Sequence, residues 1–284
     1  MGAIYRVISL SKKKKAIIII IIVILLSALI TSVVYILLIM SDYRRDKQLY
    51  AEIRDEAVTI IYEEIENTVG TDSDTSSARI EEQVSGELPY YPEINVDFSL
   101  LYERNQEIIA WLWIPGTDIS YPITQTEDNF KYLNRAYDDT PNRSGAIFLD
   151  YRNKADFTGK HSIIYGHNMR DGSMFGQLSL FDDQEYFDAH DIIYIITETA
   201  ELRYRIFSHY ITDTINEDSY QLGFSDDAQF RQYQSLLQSR SYQTADDVPE
   251  DCERLITLST CYVSGTPTRR VLHAYLLDET QYSR

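Results

Sequence analysis

Residues 16–40 read AIIIIIIVILLSALITSVVYILLIM without a single charged side chain. At about 1.5 Å of helical rise per residue, such a run exceeds the roughly 30 Å hydrocarbon core of a bilayer, so Ala16–Met40 is predicted to be a membrane-spanning helix. A cleaved signal peptide would carry an apolar stretch of roughly 7 to 15 residues followed by a small-residue cleavage site. Neither is present, and the segment reads as a retained anchor. From Ser41 to about Val69 the pattern changes: Leu49, Ile53, Ala57, Ile61 and Ile65 recur every four residues among charges. That is the period of an amphipathic helix, serving either as a stalk or as a face packed on the following domain or on a second copy. Residues 70–88 are rich in Ser, Thr, Asp and Glu, with few large apolar side chains, and read as a linker.

From Tyr90 onward, short apolar runs alternate with turn residues. Asp97 is placed to cap a short helix through Leu101, and Trp111–Ile114 reads as a strand ended by Pro115 and Gly116. Further strands are predicted at Ile119–Ile123, Ala146–Leu149, Ser162–Tyr165, Ile192–Thr197, Leu202–Ile211, Arg254–Thr260 and Val271–Leu277. Short helices are expected near Asn129–Leu133 and Met174–Leu180. A longer one, Asp226–Ser239, starts behind a Ser225 cap and presents Phe230, Tyr233, Leu236 and Leu237 at helical spacing. The pattern describes a mostly β domain with added helices, with strands enough to close a barrel.

The 284 residues are 44% hydrophobic, enough for one sizeable core plus accessory segments. Every acidic residue lies beyond the apolar run, where 44 Asp and Glu face 21 Lys and Arg. A part so acidic repels phosphate backbones and has no basic stripe for nucleic acid. Orientation is closely balanced: Arg6 and Lys12 to Lys15 precede the span, and Arg44, Arg45, Lys47 and Arg54 follow it. The compact lysine cluster and the free amino terminus favour a cytoplasmic N-terminus. The two cysteines, Cys252 and Cys261, are separated by an extended run. At about 3.3 Å per residue they stand roughly 30 Å apart, far beyond the roughly 7 Å a disulfide tolerates. Cys261 is therefore expected as a free thiol and Cys252 as a structural residue.

Chemistry concentrates at strand ends. Thr257, Leu258, Ser259, Thr260 and Cys261 end one predicted strand on a thiol. Ile163, Ile164, Tyr165, Gly166, His167 and Asn168 end another on an imidazole, and Arg269 and Arg270 follow the cysteine after a compact turn over 263–268. A thiolate attacks a carbonyl, a histidine relays the proton to a leaving amine, and a guanidinium holds the oxyanion, so the three together suit acyl transfer. The plain alternative is a buried, inert cysteine. Adjacent strand residues point to opposite faces, so only one of the two arginines can face the thiol. Of the five histidines, His161, His190, His209 and His273 carry no special pattern. No HExxH or CxxC spacing occurs, and the carboxylates at Asp182, Asp183, Glu185, Asp226 and Asp227 fit helix starts better than a calcium loop. None of the chemistry calls for a metal or organic cofactor.

TLSTC at 257–261 followed by Arg269, YGHN at 165–168 and FLDYRN at 148–153 resemble the class B sortases, membrane-anchored cysteine transpeptidases of Gram-positive bacteria. The resemblance extends through DFSLLYERNQEIIAWLWIPGTDISYPITQ at 97–125 and DNFKYLN at 128–134. It implies a sortase-type closed β-barrel with N-terminal helices, a long helix before the cysteine strand and a separate transmembrane helix. It implies a cytoplasmic tail at 1–15, the span at 16–40, a helical stalk and linker at 41–89, and a catalytic domain at 90–284 outside the cell. Cys261, His167 and Arg269 would be catalytic, with Arg270 outside the site. Asn129, Leu133, Tyr165, Ser259 and Thr260 would contact substrate or shape the site, although Leu133 and Tyr165 suit a core equally well. Asp150 and Asn168 are orienting groups or turn residues. The implied substrates are secreted proteins bearing a C-terminal sorting signal, and the implied acceptor is the amine of a peptidoglycan precursor or a pilin lysine. A membrane-anchored cysteine endopeptidase using water and a catalytically silent binding domain are the rival readings.

Overall fold

The computed structural model describes residues 12–61, 92–213, 217–261 and 267–282. Most of the expected tail over 1–15, the end of the expected helix over 62–69, the linker over 70–88 and residues 263–266 of the expected turn lie outside the described residues. The chain forms two compact units, Met1–Leu49 and Tyr50–Arg284.

The first helix, α1, runs Lys12–Ala57. Its apolar part exposes Ile, Leu and Val on every side and is long and apolar enough to cross a membrane by length and composition, which makes it a candidate anchor. The helix stops at Ala57, earlier than the four-residue period predicts. Val58, Thr59, Ile60 and Ile61 are four consecutive β-branched residues, and their restricted χ1 favours a strand. They form β1 (Val58–Ile61), which pairs antiparallel with β2 (Glu93–Val96) and sets Ile60 opposite Ile94. The Asp97 amide joins the two ends by donating to the Ala57 carbonyl at 2.8 Å. Tyr50, Ile53 and Ala57, on one face of the last turns of α1, are buried within the second unit.

Eight strands close the barrel: β3 (Ile108–Trp113), β4 (Ser120–Thr124), β5 (Ile147–Leu149), β6 (His161–Tyr165), β7 (Ile192–Ile196), β8 (Ala200–Asp213), β9 (Leu255–Cys261) and β10 (Thr268–Gln281). Around the barrel they follow the order β10-β8-β7-β3-β4-β5-β6-β9. Two neighbouring pairs are parallel, β4 with β5 and β6 with β9. Parallel neighbours cannot be joined by a hairpin, and the long connection from β6 to β9 carries β7, β8 and the longest helix after α1. Strands covered on both faces read as continuous apolar runs, as in the fully buried IIYII of β7.

The short helices follow their caps. Asp97 accepts from the Leu100 amide at 3.0 Å to open α2 (Phe98–Arg104), and Asp183 accepts from the Tyr186 amide at 2.9 Å to open α3 (Gln184–Ala189). The long helix α4 spans Asp227–Ser239, and its cap is Asp226, one residue beyond the expected Ser225. The Asp226 carboxylate reaches the Gln229 amide at 2.8 Å, while the Ser225 amide donates to the Gln229 side chain. Phe230, Tyr233 and Leu237 of α4 pack with Leu255 of β9 and Val271 and Tyr275 of β10, so the helix lies over that part of the barrel. The helices expected near 129–133 and 174–180 are 3₁₀ turns at Lys131–Leu133 and Gly176–Asp182.

Between β6, β9 and β10 the interior is polar. The Thr257 hydroxyl lies 2.6 Å from His161 Nε2 and 2.7 Å from His273 Nδ1, and all three residues are buried. Burial pushes the His161 imidazole down to about 4, pushes that of His273 well below its usual range, and together with the Arg270 charge brings His209 down to about 4. Each imidazole thus binds a proton more weakly folded than unfolded, and the unfolded chain takes up more protons as pH falls from about 6.5 to about 4. Stability should therefore be full above this window and fall within it. We expect the thermal midpoint, followed by circular dichroism, to drop between about pH 6.5 and 5, above the range where ordinary carboxylates titrate. His161→Asn should flatten that slope while lowering the midpoint at neutral pH; a midpoint indifferent to pH across this range would contradict the account.

Candidate active site

The register of three strands places the candidate residues. Along the parallel β6–β9 pair, Ile163 aligns with Thr257, Ile164 with Leu258 and Tyr165 with Ser259, and just past β6 the Gly166 amide donates to the Ser259 carbonyl at 3.2 Å. Two residues beyond Tyr165 is His167, and two beyond Ser259 is Cys261. They stand at the ends of adjacent strands, whose backbones run roughly 4.8 Å apart. On the other side of β9, the antiparallel β10 sets Arg269 opposite Cys261 and Arg270 opposite Thr260. Opposed residues share a face and successive residues alternate, so positions 261 and 269 lie on one face and 260 and 270 on the other.

The arginine side chains agree with this division. Arg270 is buried, ion-paired to Asp182 and hydrogen-bonded to His209 Nε2 at 3.0 Å. His209 must be unprotonated at that nitrogen to accept, in keeping with its lowered pKa. Arg269 is half-buried and donates to its neighbour's carbonyl, that of Thr268, at 3.3 Å. The choice that adjacency in sequence left open is thus a choice between a buried guanidinium paired with Asp182 and one on the face of position 261.

His167 is held by loop backbone. Its Nε2 lies 2.7 Å from the Leu133 carbonyl and donates to it, which leaves Nδ1 as the nitrogen that exchanges a proton in the neutral ring. The His167 carbonyl accepts from the Phe175 amide at 2.9 Å, and Asn168 forms an isolated β-bridge with Met174. Gly145 sits against the imidazole at φ +60°, where a Cβ would lie 3.0 Å from His167 Cδ2 and 2.6 Å from the Tyr132 carbonyl. The glycine before the histidine has a packing reason as well: a Cβ on Gly166 would meet Ile147 at 2.5 Å and Phe175 at 2.8 Å.

Asn129 and Tyr165 converge on Asp150. The Asn129 amide and the Tyr165 hydroxyl donate to Asp150 Oδ2 at 3.0 and 3.1 Å, and Arg152 grips the same carboxylate through Nε, Nη2 and its backbone amide. Asp150 is fully buried, which by itself would raise its pKa; the bonds from Arg152, together with that from Asn129, outweigh burial and hold the carboxyl below its ordinary value. Burial, reinforced by the Asp150 charge, pushes the Tyr165 phenol upward, so it remains a donor. Leu133 and Tyr165 pack on the buried cluster of Tyr132, Ala146 and Phe148. Ser259 meets the Tyr220 hydroxyl at 2.9 Å. Thr260 stands apart: it is buried, shares its face with Arg270, and its hydroxyl has no partner among the described residues. Cys252 lies in the core beneath α4, donates to Gln234 Oε1 at 2.9 Å and has its thiol pushed up to about 12 by burial, as suits an inert residue. Among the described residues no group of three or more His, Cys, Asp and Glu is placed to hold a metal ion.

Residues 112–277 match the family model described as Sortase domain. The chain is 36% identical over 171 residues to Sortase B of Listeria monocytogenes serovar 1/2a, covering 60% of this chain and 68% of that protein. It is 30% identical over 169 residues to Sortase B of Staphylococcus aureus, covering 59% and 68%. Among solved structures, sortase B from B. anthracis in complex with AAEK1 superposes with a TM-score of 0.64 at 30% identity, covering 84% of this chain and 98% of that one. The Staphylococcus aureus sortase B-substrate complex superposes with a TM-score of 0.60 at 30% identity, covering 64% and 84%.

Two substitutions test the supports. Asp150→Asn turns an acceptor toward three donor groups into an amide that can satisfy only part of them, and should cost about 2 kcal/mol in urea unfolding. Gly145→Ala forces a side chain into a left-handed backbone and against Tyr132, and should cost about 1–3 kcal/mol by the same measurement.

Proposed function

The chain belongs to the sortase family and is a class B cysteine transpeptidase, and we propose that Cys261 is its nucleophile, His167 its acid and base, and Arg269 its oxyanion donor. The observation that carries this assignment is the shared register of β6, β9 and β10, which sets positions 167 and 261 at adjacent strand ends and 261 opposite 269. Cys261 attacks the scissile carbonyl of a sorting signal in a secreted protein, and the tetrahedral oxyanion accepts hydrogen bonds from Arg269 and a backbone amide. His167 protonates the departing amine, the C–N bond breaks and an acyl thioester remains. An incoming amine gives its proton to His167 and attacks the thioester; a new C–N bond forms, the C–S bond breaks and the thiolate returns.

Asn129, Leu133, Tyr165 and Ser259 line or shape the substrate site in this reading, and Thr260 shapes it from behind the cysteine strand. The contact of Leu133 with His167 and of Asn129 and Tyr165 with Asp150 supports the assignment for those three, and for Ser259 and Thr260 it rests on their place in the strand that ends at Cys261. Residues 16–40 anchor the protein, with the tail over 1–15 in the cytoplasm, the stalk and linker over 41–89 and the catalytic domain over 90–284 outside the cell. The acceptor is an amine of a cell-wall precursor or a pilin lysine. No cofactor takes part in any step.

The test incubates the full chain in detergent with quenched sorting-signal peptides, with and without an amine acceptor, and identifies products by mass spectrometry. Cys261→Ala, His167→Ala and Arg269→Ala should each lose at least ~10³-fold in kcat/KM. Arg270→Ala should lower the thermal midpoint, because it breaks the pair with Asp182, yet cleave within about tenfold of the parent. An amide adduct marks the transpeptidase, hydrolysis alone marks a peptidase, and cleavage that survives Cys261→Ala overturns the assignment.

A further inference from the structure

The last turns of α1 reach the candidate catalytic histidine through one buried hydroxyl, and we infer that Tyr50 is a positioning residue for His167. The inference rests on the assignment of His167 above only for its catalytic consequence. Tyr50 lies outside the residues matched to the sortase family model, which begin at 112. It is 6% exposed, and its hydroxyl donates to the Gly145 carbonyl at 2.6 Å across 95 residues of sequence.

The Gly145 residue so held is the one that abuts the imidazole. A Cβ there would lie 3.0 Å from His167 Cδ2 and 3.0 Å from the Leu133 carbonyl, the same oxygen to which His167 Nε2 donates. On either side, the Gly145 amide donates to Asn142 and the Ala146 amide donates to the Tyr132 carbonyl. The Tyr50 hydroxyl therefore closes a backbone cradle with the ring of His167 on its other side. A second contact reaches the far side of the histidine loop. The Tyr50 ring meets Tyr121 edge-on at 5.3 Å, and the Tyr121 hydroxyl accepts from the Met174 amide at 3.0 Å. Met174 is bridged to Asn168, next to His167, and the following residue, Phe175, donates to the His167 carbonyl. One side chain thus braces both the segment against the imidazole and the segment that follows it. A buried carbonyl that loses its donor must find another partner or move.

Tyr50→Phe keeps the ring packing and removes only the hydroxyl, and Ile53→Ala, buried on the same helix face, is the comparison for a purely structural loss. Both are made in the full chain in detergent with isotope-labelled histidine, and the His167 imidazole signals are assigned by their loss in His167→Gln. Tyr50→Phe should move the His167 imidazole signals while leaving those of His161 and His273 in place. With sorting-signal peptides it should lower kcat about tenfold at nearly constant KM, because misplacing a catalytic group costs rate rather than binding. Ile53→Ala should lower the thermal midpoint without moving the His167 signals. Unmoved His167 signals in Tyr50→Phe, or equal movement in Ile53→Ala, overturn the inference. Unchanged turnover in His167→Gln would instead overturn the catalytic assignment, while the imidazole spectra still decide the positioning role.

Discussion

The parallel pairing of β6 with β9 is the constraint on which the site depends. A parallel pair sends both carboxyl ends to the same rim, and the aligned Tyr165 and Ser259 leave the following residues of both strands side by side. Closure of the barrel removes the freedom to slide, since a slip of one residue would turn every apolar side chain of the strand to the wrong face. β10 returns antiparallel along the other edge of β9 and brings position 269 opposite 261. The cysteine and arginine positions are thereby related by the ladder itself, and the histidine follows two residues past the end of β6.

Beyond a strand end no ladder continues, and the molecule holds His167 by other means. The Leu133 carbonyl fixes its Nε2, the Phe175 amide fixes its backbone and Gly145 leaves room for its ring. Asp150 does comparable work beside it. A buried carboxylate is an acceptor only and is costly unless its oxygens are saturated; Arg152, Asn129 and Tyr165 saturate this one. The charge so stabilised ties the FLDYRN segment to Asn129 and to the last residue of β6.

The two neighbouring arginines show how one strand serves two ends. Arg270 completes an internal pair with Asp182 and accepts the company of an unprotonated His209, while Arg269 stays half-buried on the face of position 261. A buried guanidinium cannot lose its charge, so the groups around it adapt: burial and the Arg270 charge together disfavour protonation of His209. The polar interior of His161, Thr257 and His273 follows the same economy, with each hydrogen bond made between groups that stay neutral near pH 7.

Much of this was legible in the linear pattern. The uncharged run at 16–40, the strands around 163, 193, 257 and 273, and the long helix before the cysteine strand follow from local periodicity. The motifs at 165–168 and 257–261 single out His167 and Cys261 as the candidates that the proposed function uses. Local rules falter where two local preferences compete: the four-residue stripe predicts helix to about Val69, yet β-branched Val58 to Ile61 form a strand paired with β2. At α4 the expected Ser225 cap gives way to Asp226, whose carboxylate reaches the Gln229 amide. Which side chains are able to bear chemistry is readable from the linear chain, because thiol, imidazole and guanidinium are properties of residues. Strand pairing and packing settle which arginine lies opposite position 261, that Asn129 and Tyr165 meet on Asp150, and that Tyr50 touches Gly145. Those relations join residues up to 95 positions apart, and no local periodicity encodes a contact that exists only once the barrel has closed.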